Sequence, residues 1–498
     1  MSAGLLPPWR APGLVALAAF AVYLALWPHF SARLDPLTGD EPFYVMTAIS
    51  LIEDGDLDQS NNYTAVTVFG EQGPYVLHAF DERLNPPDPL PTDWQGWPAP
   101  PRLVEPHAAT AERPGLYSKH GVGLPVLIAV PWALAGRFGA NLVVMVMAAL
   151  VAAQMYLLAR ESGARTWLAG AIALGLAIVL PLGPYALLIF PEIPAALLLI
   201  YAIRRTAAPD NREWQWLLAG SAVGFLPWLH QRFAPTAALL AALLFLKILR
   251  DRDVLVNAAL CLLPIAVGGV SLLIYNLYLY GALVQPSEDH AGFNRLVGTL
   301  NGGFGLLLDA QWGLLIAAPV MLLALAAVPR WYEAVPKLAG TALLVVAPYL
   351  VIVAAYKVWW GEWGPAARYL VPVVPLAAGP LACWLASARL RSRLLAYALW
   401  LPGLLQTVVG YQDPQRFYHH PDGRNNLIDR LGEELGLDLQ RLLVAFQPYS
   451  IAPLPARFWI SVALVALLVI ATRWISGDAV RRQWSRLLGL FGTGLPAV

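Results

Sequence analysis

Two adjacent carboxylates, Asp40 and Glu41, stand in the stretch TGDEPFY, directly after the first long apolar run of the chain. A carboxylate can act as a general base toward a hydroxyl or an amine, and it can stabilise a cationic, oxocarbenium-like carbon. Glu192 is a further carboxylate and lies between two prolines in the apolar stretch FPEIP. Because a carboxylate in such a turn is unfavourable without a partner or a water-filled cavity, a functional role is favoured for Glu192.

Three cationic residues supply the complementary chemistry. Lys119 lies in YSKHG, Arg232 in WLHQRF, and Arg368 in the Arg368-Tyr369 pair of WWGEWGPAARY. Lysine and arginine bind phosphate oxygens and can stabilise a departing phosphate. Transfer of a sugar from a phosphate-linked donor needs both kinds of group, a base for the acceptor and positive charge beside the leaving group.

Other polar residues have simpler interpretations. A charged side chain at a helix end is most often solvated, and this is the prediction for Asp309 and Glu362. For His230 and its neighbours in WLHQRF, a functional role and structural pairing both stay open. The histidines His120 and His230 are also candidate metal ligands, although two isolated histidines are weak evidence for a metal site.

The elements that must position these residues are membrane helices. The chain has 498 residues, of which 58% are hydrophobic and 13% charged, whereas a soluble globular protein has about 25% charged residues. Apolar runs long enough to span a bilayer predict an all-α polytopic protein of about twelve transmembrane helices. The predicted spans are 11–30, 139–160, 166–187, 190–204, 214–230, 233–249, 254–280, 311–328, 338–357, 369–388, 394–411 and 456–474.

The distribution of lysine and arginine predicts the orientation. Clusters at 160–165, 204–212, 247–252, 330–337 and 389–393 fall in every second loop, and such loops are cytoplasmic under the positive-inside rule. The candidate residues for chemistry then all lie at the opposite, extracytoplasmic ends of the helices. The net charge of +1 gives no indication of a nucleic-acid partner.

The predicted organisation has one transmembrane domain, 1–474, and a cytoplasmic tail, 475–498. The domain includes a first extracytoplasmic loop, 31–138, with interfacial helices and a short amphipathic helix that begins at Pro42. The run 121–138 is expected at the outer interface or as a partly inserted helix, because a full span there would reverse the later loops. A small extracytoplasmic segment is predicted at 412–455, with a surface helix in its stretch NNLIDRLGEELGLDLQRLLVAF.

Several nucleotide and metal motifs are missing from the sequence. It has no Walker A motif, no GxGxxG after a strand, no HExxH and no CxxC, so no known type of nucleotide site is indicated. On the extracytoplasmic face there is no supply of nucleotide sugars. The donor that fits this chemistry is therefore a polyprenyl-phosphate sugar held in the bilayer.

The chain resembles the GT-C superfamily of polytopic glycosyltransferases, especially the bacterial aminoarabinose transferases and the protein O-mannosyltransferases. The similar segments are GDEPFY after the first span, YSKHGVGLP at the end of the first outer loop, and the late RYLVPVVP. The resemblance implies a GT-C-like fold, a cytoplasmic (inner) membrane location and an active site on the extracytoplasmic face.

The resemblance also implies roles for particular residues. Asp40 would be the catalytic base, with Glu41 shaping the site beside it, and Lys119 and Arg368 would contact the lipid phosphate. Glu192 lies in the loop where several such enzymes carry a further acidic residue. Ser118 stands where the aminoarabinose enzymes commonly have a glutamate, so a divalent metal stays an open question, with His120 and His230 as candidate ligands.

These observations favour a lipid-dependent glycosyltransferase. Its partners would be a polyprenyl-phosphate sugar, membrane lipids, and an extracytoplasmic acceptor that is a lipid, a glycan or a protein. The remaining site candidates are Arg232 as a phosphate-binding residue and Tyr369 beside Arg368. The alternative is a transporter or flippase of a lipid-linked glycan, which usually shows repeated halves and polar residues near the bilayer midplane. A non-enzymatic membrane scaffold would leave the carboxylate in FPEIP without a purpose.

Overall fold

The computed structural model of the chain describes residues 10–35, 37, 39–62, 108–109, 111–286, 293–294, 296–386, 390–419 and 423–446. Three predicted features lie outside these residues: the proline-rich part of the first loop, the span 456–474 and the tail 475–498. All structural statements below concern the described residues.

The described residues form mostly α-helices. In chain order these are α1 (Arg10–Arg33), α2 (Glu41–Glu53), α3 (Gly123–Glu161), α4 (Thr166–Ile178), α5 (Leu182–Tyr185), α6 (Glu192–Ala207), α7 (Glu213–Leu229), α8 (Ala234–Ile248), α9 (Val254–Tyr280), α10 (Leu296–Leu308), α11 (Leu314–Ala317), α12 (Met321–Ala334), α13 (Pro336–Ala355), α14 (Ala378–Ala386), α15 (Leu390–Gln412) and α16 (Asn426–Leu435). Short 3₁₀ turns cover Gln231–Phe233, Arg368–Leu370, Val374–Ala377, Pro414–Phe417 and Leu439–Leu442.

A small antiparallel pair of strands interrupts the helices, β1 (Ala108–Ala109) and β2 (Tyr117–Ser118), with Ala108 opposite Ser118. This pair ends directly before the Lys119-His120 stretch, so it fixes where that stretch begins. The fold class is therefore the predicted all-α class, with one minimal hairpin.

Within the described residues, six helices are long and apolar enough to cross a membrane. They are Arg10–Arg33, Gly123–Glu161, Gln231–Ile248, Val254–Tyr280, Pro336–Ala355 and Arg393–Gln412. These findings are compatible with a multi-pass membrane protein. The predicted count of twelve spans is not confirmed.

Several predicted spans are shorter or broken in the structure. The run 166–187 gives a helix that ends at Ile178, and the run 311–328 divides into α11 and the first part of α12. The run 369–388 begins as 3₁₀ turns before α14. Prolines account for these breaks, because proline lacks a backbone N–H and clashes with the preceding turn. Conversely, the predicted loop 281–310 contains the apolar helix α10.

The run 121–138 is helical and continuous with the helix that follows it. Helix α3 starts at Gly123 and contains a break at Ala135 (φ −146°, ψ 21°) and Gly136 (φ 56°, ψ −142°). The predicted boundary near residue 139 therefore corresponds to a kink and not to a loop. Across this kink α3 packs along α1 and against α2.

Helix α2 was expected to be amphipathic, and this is wrong. It begins at Glu41, one residue before the predicted start, and every residue from Glu41 to Ser50 is buried. The helix is enclosed by the bundle because it packs on α3 and contributes its aromatic residues to the main apolar core. A short enclosed helix of this kind can hold the residue before it in a fixed position.

Single helices of the bundle carry a candidate residue at one end and basic residues at the other. Helix α6 begins with Glu192 and has Arg204 and Arg205 in its last turn. Sixteen residues at 1.5 Å per residue separate these ends by about 24 Å. Helix α8 has the same arrangement, with Arg232 just before it and Lys247 in its last turn.

Candidate functional site

Asp40 occupies the position just before helix α2, where a tight approach of two chain segments holds it. Gly39 adopts φ +65°, and a Cβ atom there would lie 2.8 Å from the carbonyl oxygen of Trp363. Only glycine fits both the left-handed backbone and this distance. The glycine of TGDEPFY therefore places Asp40 beside the segment that leads to Arg368.

Arg368 follows a strained turn. Glu362 and Ala367 both have positive φ values, 49° and 59°, which for residues with a Cβ cost roughly 1–2 kcal/mol each. The N–H of Ala367 donates to the carbonyl oxygen of Trp312 at 3.1 Å, and Arg368 Nη1 donates to the carbonyl oxygen of Gly361 at 3.0 Å. This turn directs the guanidinium back into the bundle.

Four of the predicted residues form one buried ion-pair network. Arg368 bonds Asp40 through Nη2 and Glu192 Oε1 through Nε, the latter at 3.1 Å. Arg232 Nη2 donates to the same Glu192 Oε1 at 2.9 Å. The side chain of Glu192 is 0% exposed and that of Arg232 2%, whereas Asp40 keeps 23% of its side chain exposed. We refer to Asp40, Glu192, Arg232 and Arg368 as the network.

The network contains two formal negative and two formal positive charges. Burial disfavours the charged guanidinium of Arg368, but the adjacent Asp40 and Glu192 carboxylates raise its pKa well above the ordinary value. Removal of one member of a buried ion pair costs about 3–5 kcal/mol, because an uncompensated charge is left behind. Glu192 Oε2 has no hydrogen-bond partner among the described residues, so the network has a spare acceptor.

Glu41 has a different environment from that of Asp40. It is fully buried, and its Oε1 accepts a hydrogen bond of 2.7 Å from the backbone N–H of Ile189. Ile189 lies three residues before Glu192. Glu41 therefore anchors the segment that carries Glu192 to the start of α2.

His120 lies beside Asp40. Its Nδ1 atom is 3.7 Å from Asp40 Oδ2, and its ring centroid lies 5.4 Å from that of Phe43 and 5.1 Å from that of Tyr44. Burial lowers the pKa of His120 to about 4, and this effect outweighs the opposing one of the Asp40 carboxylate. The imidazole is thus neutral at neutral pH, and the half-buried Lys119 precedes it in the chain.

The glycines of KHGVG explain how this stretch reaches Asp40. A Cβ atom on Gly121 would lie 2.4 Å from the carbonyl oxygen of Leu229, and one on Gly123 would lie 2.7 Å from the backbone of Trp228. The stretch therefore packs directly on the end of α7. Any larger side chain at either glycine would push Lys119 and His120 away.

His230 and Tyr369 support the arginines. His230 Nδ1 accepts a hydrogen bond from the backbone N–H of Arg232 at 3.1 Å and so caps the 3₁₀ turn that carries it. The guanidinium carbon of Arg232 lies 4.7 Å from the centre of the Tyr369 ring, within the range of a cation–π interaction. Tyr369 is itself held by Tyr349, whose hydroxyl donates to its carbonyl oxygen at 2.6 Å.

Asp309 was predicted to be solvated, and this is wrong, whereas Glu362 is exposed as predicted. Asp309 is 0% exposed. Its Oδ1 accepts from the N–H groups of Gln311 and Trp312 at 2.9 and 3.1 Å, and its Oδ2 accepts from the N–H of Phe446 at 2.6 Å. Asp309 therefore ties the segment around Phe446 to the turn at Gln311 and Trp312. The carbonyl oxygen of Trp312 in this turn accepts the hydrogen bond from Ala367.

The described part of the chain does not bring together a set of side chains that could hold a metal ion. No group of three or more His, Cys, Asp or Glu side chains comes together there. His120 and His230, the candidate ligands from the sequence, contact Asp40 and the backbone of Arg232 respectively.

Some residues of this region were not identified from the sequence. Phe43 and Tyr44, whose rings pack near His120, could have been found because they stand in the same short stretch as the acidic pair, DEPFY. Tyr185, whose hydroxyl donates to the carbonyl oxygen of Pro365 at 2.7 Å, left no such signal.

Comparison with known proteins adds nothing to these contacts: no protein-family profile, no characterised protein and no solved structure matches the chain. The functional assignment therefore depends on the site alone.

Proposed function

We propose that this chain is a membrane glycosyltransferase of the GT-C type, which moves a sugar from a polyprenyl-phosphate donor to an extracytoplasmic acceptor. The observation that carries the proposal is the network: a partly exposed carboxylate, Asp40, is bonded to a buried arginine that is itself bonded to a second carboxylate. A base held in place beside positive charge is what transfer from a phosphate-linked donor requires.

In the proposed step, Asp40 takes the proton of the acceptor hydroxyl or amine. The acceptor atom then forms a bond to the anomeric carbon with inversion. The bond between that carbon and the phosphate oxygen breaks, and its electron pair leaves with the polyprenyl phosphate. The reaction balances without a further reactant.

The network also has the electrostatics for this step. Before transfer its four formal charges cancel. When Asp40 becomes protonated, the network gains one net positive charge, contributed by Arg368 and Arg232. Negative charge develops on the departing phosphate at the same time, so the two changes stabilise each other. Lys119, which is only half-buried, is the residue of the proposal that contacts the phosphate directly.

Glu41 acts in this proposal by positioning and not by proton transfer. Its carboxylate is enclosed and bonded to the N–H of Ile189. It keeps the Glu192 segment against Asp40, so its substitution is expected to disturb the network as a whole.

The proposal includes about twelve spans, a cytoplasmic membrane location and a site on the extracytoplasmic side. Its support is the separation of charges along single helices: the network lies at one end of α6 and α8, and Arg204, Arg205 and Lys247 lie at the other. Cytoplasmic loops carry the excess of lysine and arginine.

The decisive experiment is Asp40→Asn in reconstituted membranes. Loss of the general base should reduce transfer from polyprenyl-phosphate sugars by about 10²–10⁴-fold, with donor binding retained. Asp35→Asn is the matched control, because Asp35 is exposed and pairs with Arg137; it should transfer normally. Normal turnover of Asp40→Asn would refute the proposal, and donor movement across the membrane without transfer would favour a flippase.

A further inference from the structure

Three cationic residues come together at the C-terminal end of α6, the end opposite to the network. Lys247 Nζ donates to the carbonyl oxygen of Arg205 at 2.7 Å, and Lys337 Nζ lies 3.4 Å from the carbonyl oxygen of Ala208. The two lysines belong to α8 and α13, so three different helices bring their charges to one place. We refer to Arg205, Lys247 and Lys337 as the cationic cluster.

Positive charge predominates around Lys247. The charges of Lys337 and Arg205 both repel it. The carboxylates of Asp251 and Asp210 attract it, each more weakly than either cation repels it. Because like charges raise the free energy of the folded chain, an anion beside this cluster would stabilise it.

The lysines of the cluster keep hydrogen-bond donors for a further partner. An ammonium group has three N–H donors, and one on each lysine is used by a carbonyl oxygen. In the part of the chain that the structure describes, neither lysine forms a salt bridge with a carboxylate, whereas Arg205 pairs with Glu161 at 3.6 Å. Lys337 is exposed and Lys247 is half-buried. The cluster can therefore offer charge and donors to a phosphate group.

The positions of the lysines along their helices place the cluster at a membrane surface. Lys247 is the last residue but one of the candidate span Gln231–Ile248, and Lys337 is the second residue of the candidate span Pro336–Ala355. The polar headgroups of a bilayer lie at the ends of such spans. Large apolar residues next to Lys247 in the chain are also exposed, namely Phe245, Leu246 and Leu249.

From this combination we infer that the cationic cluster binds the headgroup of an anionic phospholipid. Cations at headgroup depth and exposed apolar side chains beside them match the two parts of such a lipid, whereas a soluble phosphate ion would leave the apolar side chains uncovered. In the proposed orientation the cluster faces the cytoplasmic leaflet, whose anionic lipids attract lysines and arginines near the membrane. The inference needs a membrane location, but it does not depend on glycosyl transfer.

The first test measures which lipid the chain retains. The full chain, purified in dodecyl maltoside, is mixed with equal amounts of phosphatidylglycerol and phosphatidylcholine, and the bound lipids are counted by native mass spectrometry. One molecule of phosphatidylglycerol should be bound in preference to phosphatidylcholine. Lys247→Gln and Lys337→Gln should each weaken that binding about five-fold, and the double variant about 25-fold.

Two variants serve as controls for this measurement. Lys337→Arg keeps the charge and should bind phosphatidylglycerol as the wild type does. Arg393→Gln removes one charge from an exposed residue at the start of another candidate span, Arg393–Gln412, and it should also bind normally.

Any of four results would overturn the inference. These are equal retention of the two lipids, unchanged retention by the double variant, an equal loss in Arg393→Gln, and displacement of phosphatidylglycerol by the same concentration of glycerol 3-phosphate. The last result would show a site for soluble anions, because glycerol 3-phosphate has the phosphate of the lipid without its acyl chains.

The second test measures the stability of the chain in micelles. A lipid that contacts three helices at once binds the folded chain, so phosphatidylglycerol should raise the melting temperature, and phosphatidylcholine should raise it less. The increase should be lost in the double variant, which is compared with its own melting temperature without added lipid. An equal increase in the wild type and the double variant would contradict the inference. Since neither test measures transfer, both are independent of the Asp40→Asn experiment.

Discussion

The two ends of helix α6 carry charges of the same kinds, but their carboxylates differ in exposure. At its first residue, Glu192 is fully buried and bonded to two arginines that are themselves buried. In its last turn, the buried Arg204 and the neighbouring Arg205 pair with Glu161, whose side chain is 36% exposed. Lys247 and Lys337 donate to carbonyl oxygens of the same region, those of Arg205 and Ala208. We call this second group the basic end.

The charged side chains at the two ends therefore have different kinds of partner. At the basic end, lysines satisfy the free carbonyl groups of a helix C-terminus, a favourable contact with the helix dipole. At the network end, carboxylates and guanidiniums are removed from water and depend on each other. Such an arrangement gives little net stability. Its presence in a chain with only 13% charged residues is the reason to connect it with the proposed chemistry.

The largest expected effect concerns which side of the membrane each end faces. Glu434→Cys, exposed in α16, should react with a membrane-impermeant maleimide on intact cells, whereas Asp210→Cys, exposed beyond α6, should react only after permeabilisation. Cys261 and Cys383 are buried and should give a low background. Equal labelling of both sites on intact cells would contradict the separation of the two ends.

A substitution of one glutamate at each end tests the energetic difference. Glu192→Gln leaves two buried arginines with one carboxylate and should lower the unfolding free energy by about 3–5 kcal/mol. Glu161→Gln removes a partly exposed partner, and the buried Arg204 keeps its hydrogen bond to Gln154, so this variant should cost less, about 1 kcal/mol. Unfolding of both variants in mixed micelles with increasing dodecyl sulfate would measure this, and equal losses would remove the distinction.

The pH dependence of stability should come in part from His120. Its pKa is about 4 in the folded protein against 6.5 without burial, so the folded state favours the neutral ring. Its contribution is complete above pH 6.5 and is lost as the pH falls toward 4, with a slope of at most about 1.4 kcal/mol per pH unit. In His120→Gln, the melting temperature should change less between pH 6.5 and 4 than it does in the wild type.

The control for that measurement is His29→Gln, since His29 is exposed on α1. It should keep the wild-type slope between pH 6.5 and 4. A slope for His120→Gln equal to that of the wild type would show that the ring is not held neutral beside Asp40.

The smallest expected effects are those of single lysines at the basic end. Lys337 is exposed and its Nζ lies 3.4 Å from the carbonyl oxygen of Ala208, so Lys337→Gln should cost about 0.5 kcal/mol or less. Lys247 is held more closely, at 2.7 Å from the carbonyl oxygen of Arg205 and 5.0 Å above the Trp216 ring. Lys247→Gln should cost more, about 1 kcal/mol. A larger drop in melting temperature for Lys337→Gln than for Lys247→Gln would contradict this ranking.

Two residues of the network could be found in the sequence because each interrupts an apolar run: Glu192 between two prolines in FPEIP, and Arg232 in WLHQRF. Their pairing was not predictable, since it depends on contacts between helices. Asp309 shows the same limit: its burial depends on the N–H of Phe446, which is 137 positions away along the chain.

The helical class could be predicted from composition, whereas the individual spans could not all be predicted. Apolar content identifies the runs but does not show where a proline ends a helix, as after Ile178. The resemblance gave Asp40 and Glu41 different roles, but the sequence could not show how their surroundings differ. One keeps an exposed edge next to His120, and the other is bonded to the backbone of Ile189.

The pairing of Asp40 with Arg368 has a consequence for synthesis. These residues are 328 positions apart, and at roughly 5–20 residues per second a ribosome needs about 15–65 s to reach the arginine after the aspartate. Glu192 and Arg232 are only 40 positions apart and can meet within about 2–8 s. During insertion the Glu192–Arg232 pair is therefore available first, and Asp40 stays hydrated or protonated until Arg368 arrives.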